Sequence, residues 1–162
     1  MLMQILISYF TRTGNTRTVA SSIQEISGGE LEEISETDNR DGLGGYLACG
    51  KDSILNKPVH INPVRYNPGN YDLLIVGTPV WAFTMAPAVR VYLQEYAERP
   101  GGEIAFFCTE RLTGHNRTFK DMETICHQSP AATLTIKARD LNTERAPALI
   151  RQFVDTLRSE LN

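Results

Sequence analysis

Short runs of apolar, β-branched and aromatic residues alternate along this chain with longer stretches whose apolar residues recur every three or four positions. That alternation restricts the chain to an α/β fold built on a parallel sheet. Residues 4–9, 30–34, 72–77, 103–109 and 132–137 read as five strands. Between them, Val19, Ile23 and Ile26 fall at i, i+4 and i+7 and stop at Ser27-Gly28-Gly29. Met85, Val89, Tyr92, Leu93 and Tyr96 form the next stripe, ended by Arg99-Pro100-Gly101-Gly102. Phe119, Met122, Ile125 and Cys126 form a shorter one, and Leu149, Ile150, Phe153, Val154, Leu157 and Leu161 form the last. Pro147 suits that last helix only in its first turn, where a missing N–H is harmless.

The connection spanning residues 35–70 is long, and a helix of its own is expected near residues 43–55. Pro58, Pro63, Pro68 and Gly69 then return the chain to the third strand. From Glu25 to Asp41 there are seven acids and one base, Arg40, read as a solvated face around the second strand. With 162 residues the chain is expected to form one domain, residues 1–162, with no internal repeat.

Composition narrows the function classes. At 41% hydrophobic and 22% charged the chain is not of the disordered type. Sixteen basic against 19 acidic side chains give a net charge of −3, which excludes a protein whose main work is neutralising nucleic-acid phosphates. No apolar run reaches the ~18 residues of a membrane span. Met1-Leu2-Met3-Gln4-Ile5-Leu6-Ile7 lacks a basic leader and a cleavage site, so it reads as the first strand rather than a signal peptide. Three cysteines, Cys49, Cys108 and Cys126, form no C-x-x-C, which favours a reducing, cytoplasmic location. Cys126-His127 has no partner pair at zinc-like spacing, and no metal site is assigned.

The chemistry is expected after the first strand, in Tyr9-Phe10-Thr11-Arg12-Thr13-Gly14-Asn15-Thr16-Arg17. Backbone N–H groups at a helix N-terminus are unsatisfied and attract an anion. Gly14 lets the backbone curl closely, Thr11, Thr13 and Thr16 add hydroxyls, and Asn15 adds an amide. Such a nest suits a phosphate monoester. It lacks the lysine of an NTPase loop and the second and third glycines of a dinucleotide fingerprint. A second loop, Gly77-Thr78-Pro79-Val80-Trp81-Ala82-Phe83-Thr84, holds the only tryptophan, which either meets a planar heteroaromatic ligand or packs into the core.

These residues resemble the flavodoxin family. Its first-loop signature (a hydroxyl residue, a small residue three positions on, then Thr, then Ala) is met by Thr11, Gly14, Thr16 and Ala20, preceded by Tyr9; Ser8 departs from the usual apolar residue. The resemblance implies a three-layer fold with helices on both faces of a five-stranded parallel sheet in the order 2-1-3-4-5, of which flavodoxin is the familiar example. It further implies FMN, its phosphate held by residues 11–16, with Arg12 neutralising it. In the family an aromatic residue at the place of Trp81 stacks on the flavin, and Val80, Trp81 and Ala82 align with its contacts; Pro79 and Phe83 flank them.

The loop after the fourth expected strand, Cys108-Thr109-Glu110-Arg111-Leu112-Thr113-Gly114-His115-Asn116, matches least. Flavodoxins place Gly-Asp there and then a tyrosine over the second flavin face, whereas this chain has Thr109-Glu110 and no tyrosine. Glu110 is a candidate acceptor for the pyrimidine edge or ribityl chain. Gly114 permits a close approach. His115 either covers the ring or is an ordinary surface histidine.

Three further departures bear on the reaction. In the carriers a glycine follows the stacking tryptophan, and its peptide can flip to hydrogen-bond the flavin. Ala82 stands there instead, for which a positive φ costs about 1–2 kcal/mol or more. Phe83 replaces a common acidic residue. The charge of −3 is weak beside the carriers' acidic surfaces, while Arg12, Arg17, Arg111, His115 and Arg117 put positive charge near the site. The expectation is therefore an FMN-binding redox protein, monomer or homodimer, with the choice between carrier for a redox partner protein and reductase left open. The alternative is an NAD(P)H-dependent FMN reductase of quinones or similar small acceptors. A non-catalytic phosphate-ligand binding domain is a third class that the same fold allows.

Overall fold

The computed structural model of the protein describes residues 2–37, 59–98 and 100–161. Its elements in chain order are β1 (Ile5–Tyr9), α1 (Asn15–Ser27), β2 (Glu30–Glu33), β3 (Leu73–Trp81), β4 (Thr84–Met85), α2 (Pro87–Tyr96), β5 (Glu103–Glu110), α3 (His115–Cys126), β6 (Thr133–Lys137) and α4 (Arg145–Glu160). The five parallel strands pair in the order β2-β1-β3-β5-β6, with β4 antiparallel to β3. Counted without β4, this is the expected 2-1-3-4-5 order. The helix expected at residues 43–55, with Gly44-Gly45-Tyr46 and Cys49-Gly50-Lys51, lies outside the described residues.

Successive strand residues point to opposite faces, so apolar runs without polar alternation must be covered on both sides. Leu6, Leu74, Val76, Ile104 and Phe106 face one layer with Val89, Tyr92 and Leu93 of α2 and Met122 and Cys126 of α3. Ile7, Ile75, Ala105, Phe107 and Leu134 face the other, with Val19 and Ile23 of α1 and Ile150, Phe153 and Leu157 of α4. The register in the middle of the sheet is Ile7 beside Ile75 beside Ala105. Helix α1 ends where Gly28 takes a left-handed conformation, and Pro147 lies in the first turn of α4, as its chemistry requires.

Two local departures have physical reasons. Ser8 is fully buried in β1, and its hydroxyl lies 2.8 Å from that of Tyr92, itself buried in α2. A polar residue in a central strand is tolerated because the facing helix supplies its partner. Burial raises the Tyr92 pKa far above a free phenol's, so the hydroxyl stays protonated and able to donate. The second departure is β3, expected to end at Gly77, which runs on to Trp81 and folds back as β4.

Ser8→Ala and Tyr92→Phe are each expected to destabilise the protein by about 1–3 kcal/mol, because each strands one buried hydroxyl. The double variant should lose less than the sum. Urea unfolding of the four proteins measures that coupling.

Candidate functional site

The loops after β1, β3 and β5 meet at the carboxyl ends of the strands, as expected for a sheet whose strand order reverses between β1 and β3. The cleft between them is lined by Arg12, Thr13, Asn15, Thr16, Pro79, Val80, Trp81, Ala82, Phe83, Thr109, Glu110, Arg111, Leu112, Thr113 and Ala138. Eleven of the expected site residues are in that lining. Thr11, Gly14, Gly114 and His115 are not, and each instead shapes a loop behind the wall.

At the first wall, Gly14 is the N-cap of α1 with φ +96°, a conformation strained for any side chain. Among the described residues no side chain caps this helix, which leaves its first-turn N–H groups without a side-chain acceptor beside the cleft residues Asn15 and Thr16. The Gly14 N–H is held by the Thr11 hydroxyl at 3.1 Å, which uses Thr11 inside the loop rather than in the cleft. Thr16 is buried, with its hydroxyl 2.9 Å from that of Thr109, tying the start of α1 to the end of β5.

The second wall is a hairpin. Trp81 pairs with Thr84 across a two-residue turn in which Ala82 and Phe83 both have positive φ, +49° and +66°. That is the pattern of a type I′ turn, usually made by Asn-Gly. Ala82 therefore already holds the conformation its side chain disfavours. No turn signal marks Ala-Phe in sequence, and that is why a loop was expected where a hairpin forms. The hairpin is anchored from below: the Ala86 N–H reaches the Thr78 hydroxyl at 3.0 Å, and the Thr84 hydroxyl reaches Asp121 of α3 at 2.9 Å. Trp81 both packs and lines the cleft. Its ring meets buried Phe10 edge to face, centroids 5.6 Å apart and planes at 89°, which fixes its orientation.

The third wall closes on the second. Gly114, φ +131°, sits so near the hairpin that a Cβ there would lie 2.7 Å from Val80 Cγ1 and 3.0 Å from Phe83 Cα. Glu110, the last residue of β5, is buried with its carboxylate taken up by protein donors. Its Oε1 accepts from Lys137 Nζ at 2.9 Å and lies 2.9 Å from His115 Nδ1, and its Oε2 accepts the His115 backbone N–H at 3.1 Å. Burial alone would raise the Glu110 pKa, but the hydrogen bonds and charges of Lys137 and His115 outweigh it and hold the group below the usual carboxylate range. An ionised carboxylate only accepts, so His115 Nδ1 carries the hydrogen. Glu110 thus serves the protein's own donors on α3 and β6 while lining the cleft.

The positive field expected from sequence is also smaller than the residue count implies. Arg17 makes a bidentate pair with Glu33, Nη2 to Oε1 at 2.8 Å and Nε to Oε2 at 3.2 Å, Arg12 lies 3.7 Å from Glu36, and Arg117 lies 3.9 Å from Asp121. Of the five cationic positions, Arg111 is the exposed one on the cleft wall for which no ion pair forms among the described residues. Glu33 of β2, Glu36 just beyond it, Glu110 of β5 and Asp121 of α3 supply the other partners, and for the first three sequence distance or a change of element hides them. The apolar side is more open: Phe83 is 57% and Leu112 82% exposed, both on the cleft wall. Leu112, Thr113 and Ala138 were not singled out in sequence. Ala138 follows β6 directly, at the same end of the sheet as the other loops.

At two touching positions opposite responses are expected. Phe83→Gly relieves a strained φ and should raise stability by about 0.5–1 kcal/mol, while Gly114→Ala, which drives a methyl into Val80, should lower it by about 1–3 kcal/mol. Thermal unfolding midpoints of the two variants check both signs.

No protein-family model and no curated protein sequence matches the chain. Solved structures do. A flavoprotein from Lactobacillus acidophilus NCFM, solved in complex with FMN, aligns at 24% identity and TM-score 0.64 over 82% of this chain and 93% of its own. A protein from Bacteroides eggerthii DSM 20697, proposed to be a flavoprotein, aligns at 18% identity and TM-score 0.76 over 96% and 98%. Oxidised flavodoxin 2 from Bacillus cereus aligns at 16% identity and TM-score 0.63 over 97% and 99%. With the strand order and layers described above, these likenesses establish that the chain has the flavodoxin-like fold.

Proposed function

We propose that the chain binds FMN in the cleft at the strand ends and works as a redox protein. The observation that carries this reading is the cleft's division. One wall is an uncapped helix N-terminus with Thr13, Asn15 and Thr16; another presents Trp81, fixed edge-on by Phe10, with Phe83 beside it.

The residues present fit the cofactor. Open backbone N–H groups and hydroxyls supply donors for a phosphate at no cost in buried charge. The indole and the apolar rim supply a surface for a planar ring. When bound, the flavin supplies the electron-transfer chemistry. The chain's own residues bind and orient it: residues 12–16 fix the phosphate end, Trp81 fixes the ring plane, and Thr109 ties the end of β5 to the start of α1 through Thr16. We place the protein in the cytoplasm, where the buried free thiols Cys108 and Cys126, both pushed up to about 12 by burial, stay reduced.

A second reading, an NAD(P)H-dependent reductase of quinones, is favoured by the exposed apolar pair Phe83 and Leu112 at the cleft. Such a rim suits a small planar acceptor better than a charged protein surface.

FMN titration followed by flavin fluorescence tests the central reading. Quenching is expected, with riboflavin at least ~10-fold weaker because it lacks the anion that the helix N-terminus favours. Trp81→Ala should cost about 1–3 kcal/mol of affinity, the scale for stacking a heteroaromatic on an aromatic side chain. A protein that stays colourless with excess FMN sinks the reading, and one that then binds inorganic phosphate is a phosphate-ligand domain. In the loaded protein, rapid NADH or NADPH oxidation with a benzoquinone selects the reductase over the carrier.

A further inference from the structure

We propose that Glu110 and Lys137 are positioning residues for the cleft, clamping residues 111–114 so that Leu112 is held as an apolar face for the bound ring; this rests on the flavin reading above. A buried carboxylate is unfavourable unless every oxygen is satisfied. The Glu110 side chain is 1% exposed, and its three bonds reach two elements: Lys137 at the end of β6, and both the backbone N–H and the ring of His115 at the start of α3.

Lys137 carries the constraint on to the loop itself. Besides Glu110, its Nζ donates to the carbonyl of Leu112 at 2.6 Å. The stretch between the end of β5 and the start of α3 is therefore fastened at its middle and at both ends. Arg111, Leu112 and Thr113 are exposed and carry little packing of their own, so these charge-assisted bonds, with the seating of Gly114 against Phe83, decide where the loop sits. The side chain so presented is a leucine left 82% exposed on the cleft wall, with exposed Phe83 on the neighbouring hairpin. A clamp that served stability alone could be replaced by apolar residues of similar size at little loss. One that serves position could not.

The test uses ligand-free protein and the FMN complex of wild type, Glu110→Gln, Lys137→Met and the double variant Glu110→Leu with Lys137→Met. In ligand-free protein, amide hydrogen exchange at residues 111–115 should quicken by about tenfold or more in every variant while amides of α1 and β3 keep their wild-type rates. In the FMN titration the same variants should bind about tenfold more weakly, with a shifted absorption band of the bound flavin. Leu112→Ser should weaken FMN binding with wild-type exchange rates. Unchanged exchange at residues 111–115, or a rise spread evenly over the sheet, overturns the clamp, as does loosened exchange with wild-type FMN affinity and spectrum. Should the double variant fail to fold, the two single variants decide by the same readouts. Wild-type protein that takes up no FMN overturns the flavin reading by itself, and the exchange rates then decide the clamp independently.

Discussion

Parallel pairing of β1 with β3, each followed by a helix on the opposite face of the sheet, creates the space that everything else in the molecule serves. α1 leaves β1 toward one layer, and α2 follows the β3–β4 hairpin toward the other. The chain parts at that point, and the loops that begin there cannot pack against each other as loops on one face would. A crevice at the carboxyl ends follows from topology before any side chain is considered. What the side chains decide is its chemistry: hydroxyls and an open helix end on one side, indole and phenyl on the other.

The crevice is held open by a few contacts that run across the chain rather than along it. Thr16 meets Thr109, Trp81 meets Phe10, Gly114 meets Val80 and Phe83, and Glu110 gathers His115 and Lys137. Each joins two walls or fixes one. Two features beside these contacts cost free energy locally, the positive φ of Ala82 and Phe83 and the burial of Glu110. Both sit at the cleft and not in the two apolar layers, whereas the other positive φ outside glycine among the described residues, that of His127, ends α3.

Charge takes on a different meaning in three dimensions. A net charge of −3 with several arginines near the first and third loops suggests a positive cleft. In the folded chain Arg17 faces Glu33, Arg12 lies near Glu36 and Arg117 near Asp121, so the local field is largely paired. The face the cleft shows is apolar, through Phe83 and Leu112, more than cationic.

The sequence by itself determined the fold class, the five parallel strands, the helix stripes and the first loop. These rest on local periodicity and on residues such as Gly14 and Pro147 whose backbone preferences act within one turn. It also marked Trp81 as a residue that either meets a ligand or packs into the core, and the folded chain has it do both jobs of packing and lining the cleft. Only the tertiary structure decided the β4 hairpin, since Ala82-Phe83 carries no turn chemistry and is forced into positive φ by anchors at Thr78, Asp121 and Gly114. It alone decided the partners of Glu110, His115, Arg12 and Arg17, which lie on other elements. Local preference is written in neighbouring residues; the partner of a buried charge is set by which elements the sheet brings together.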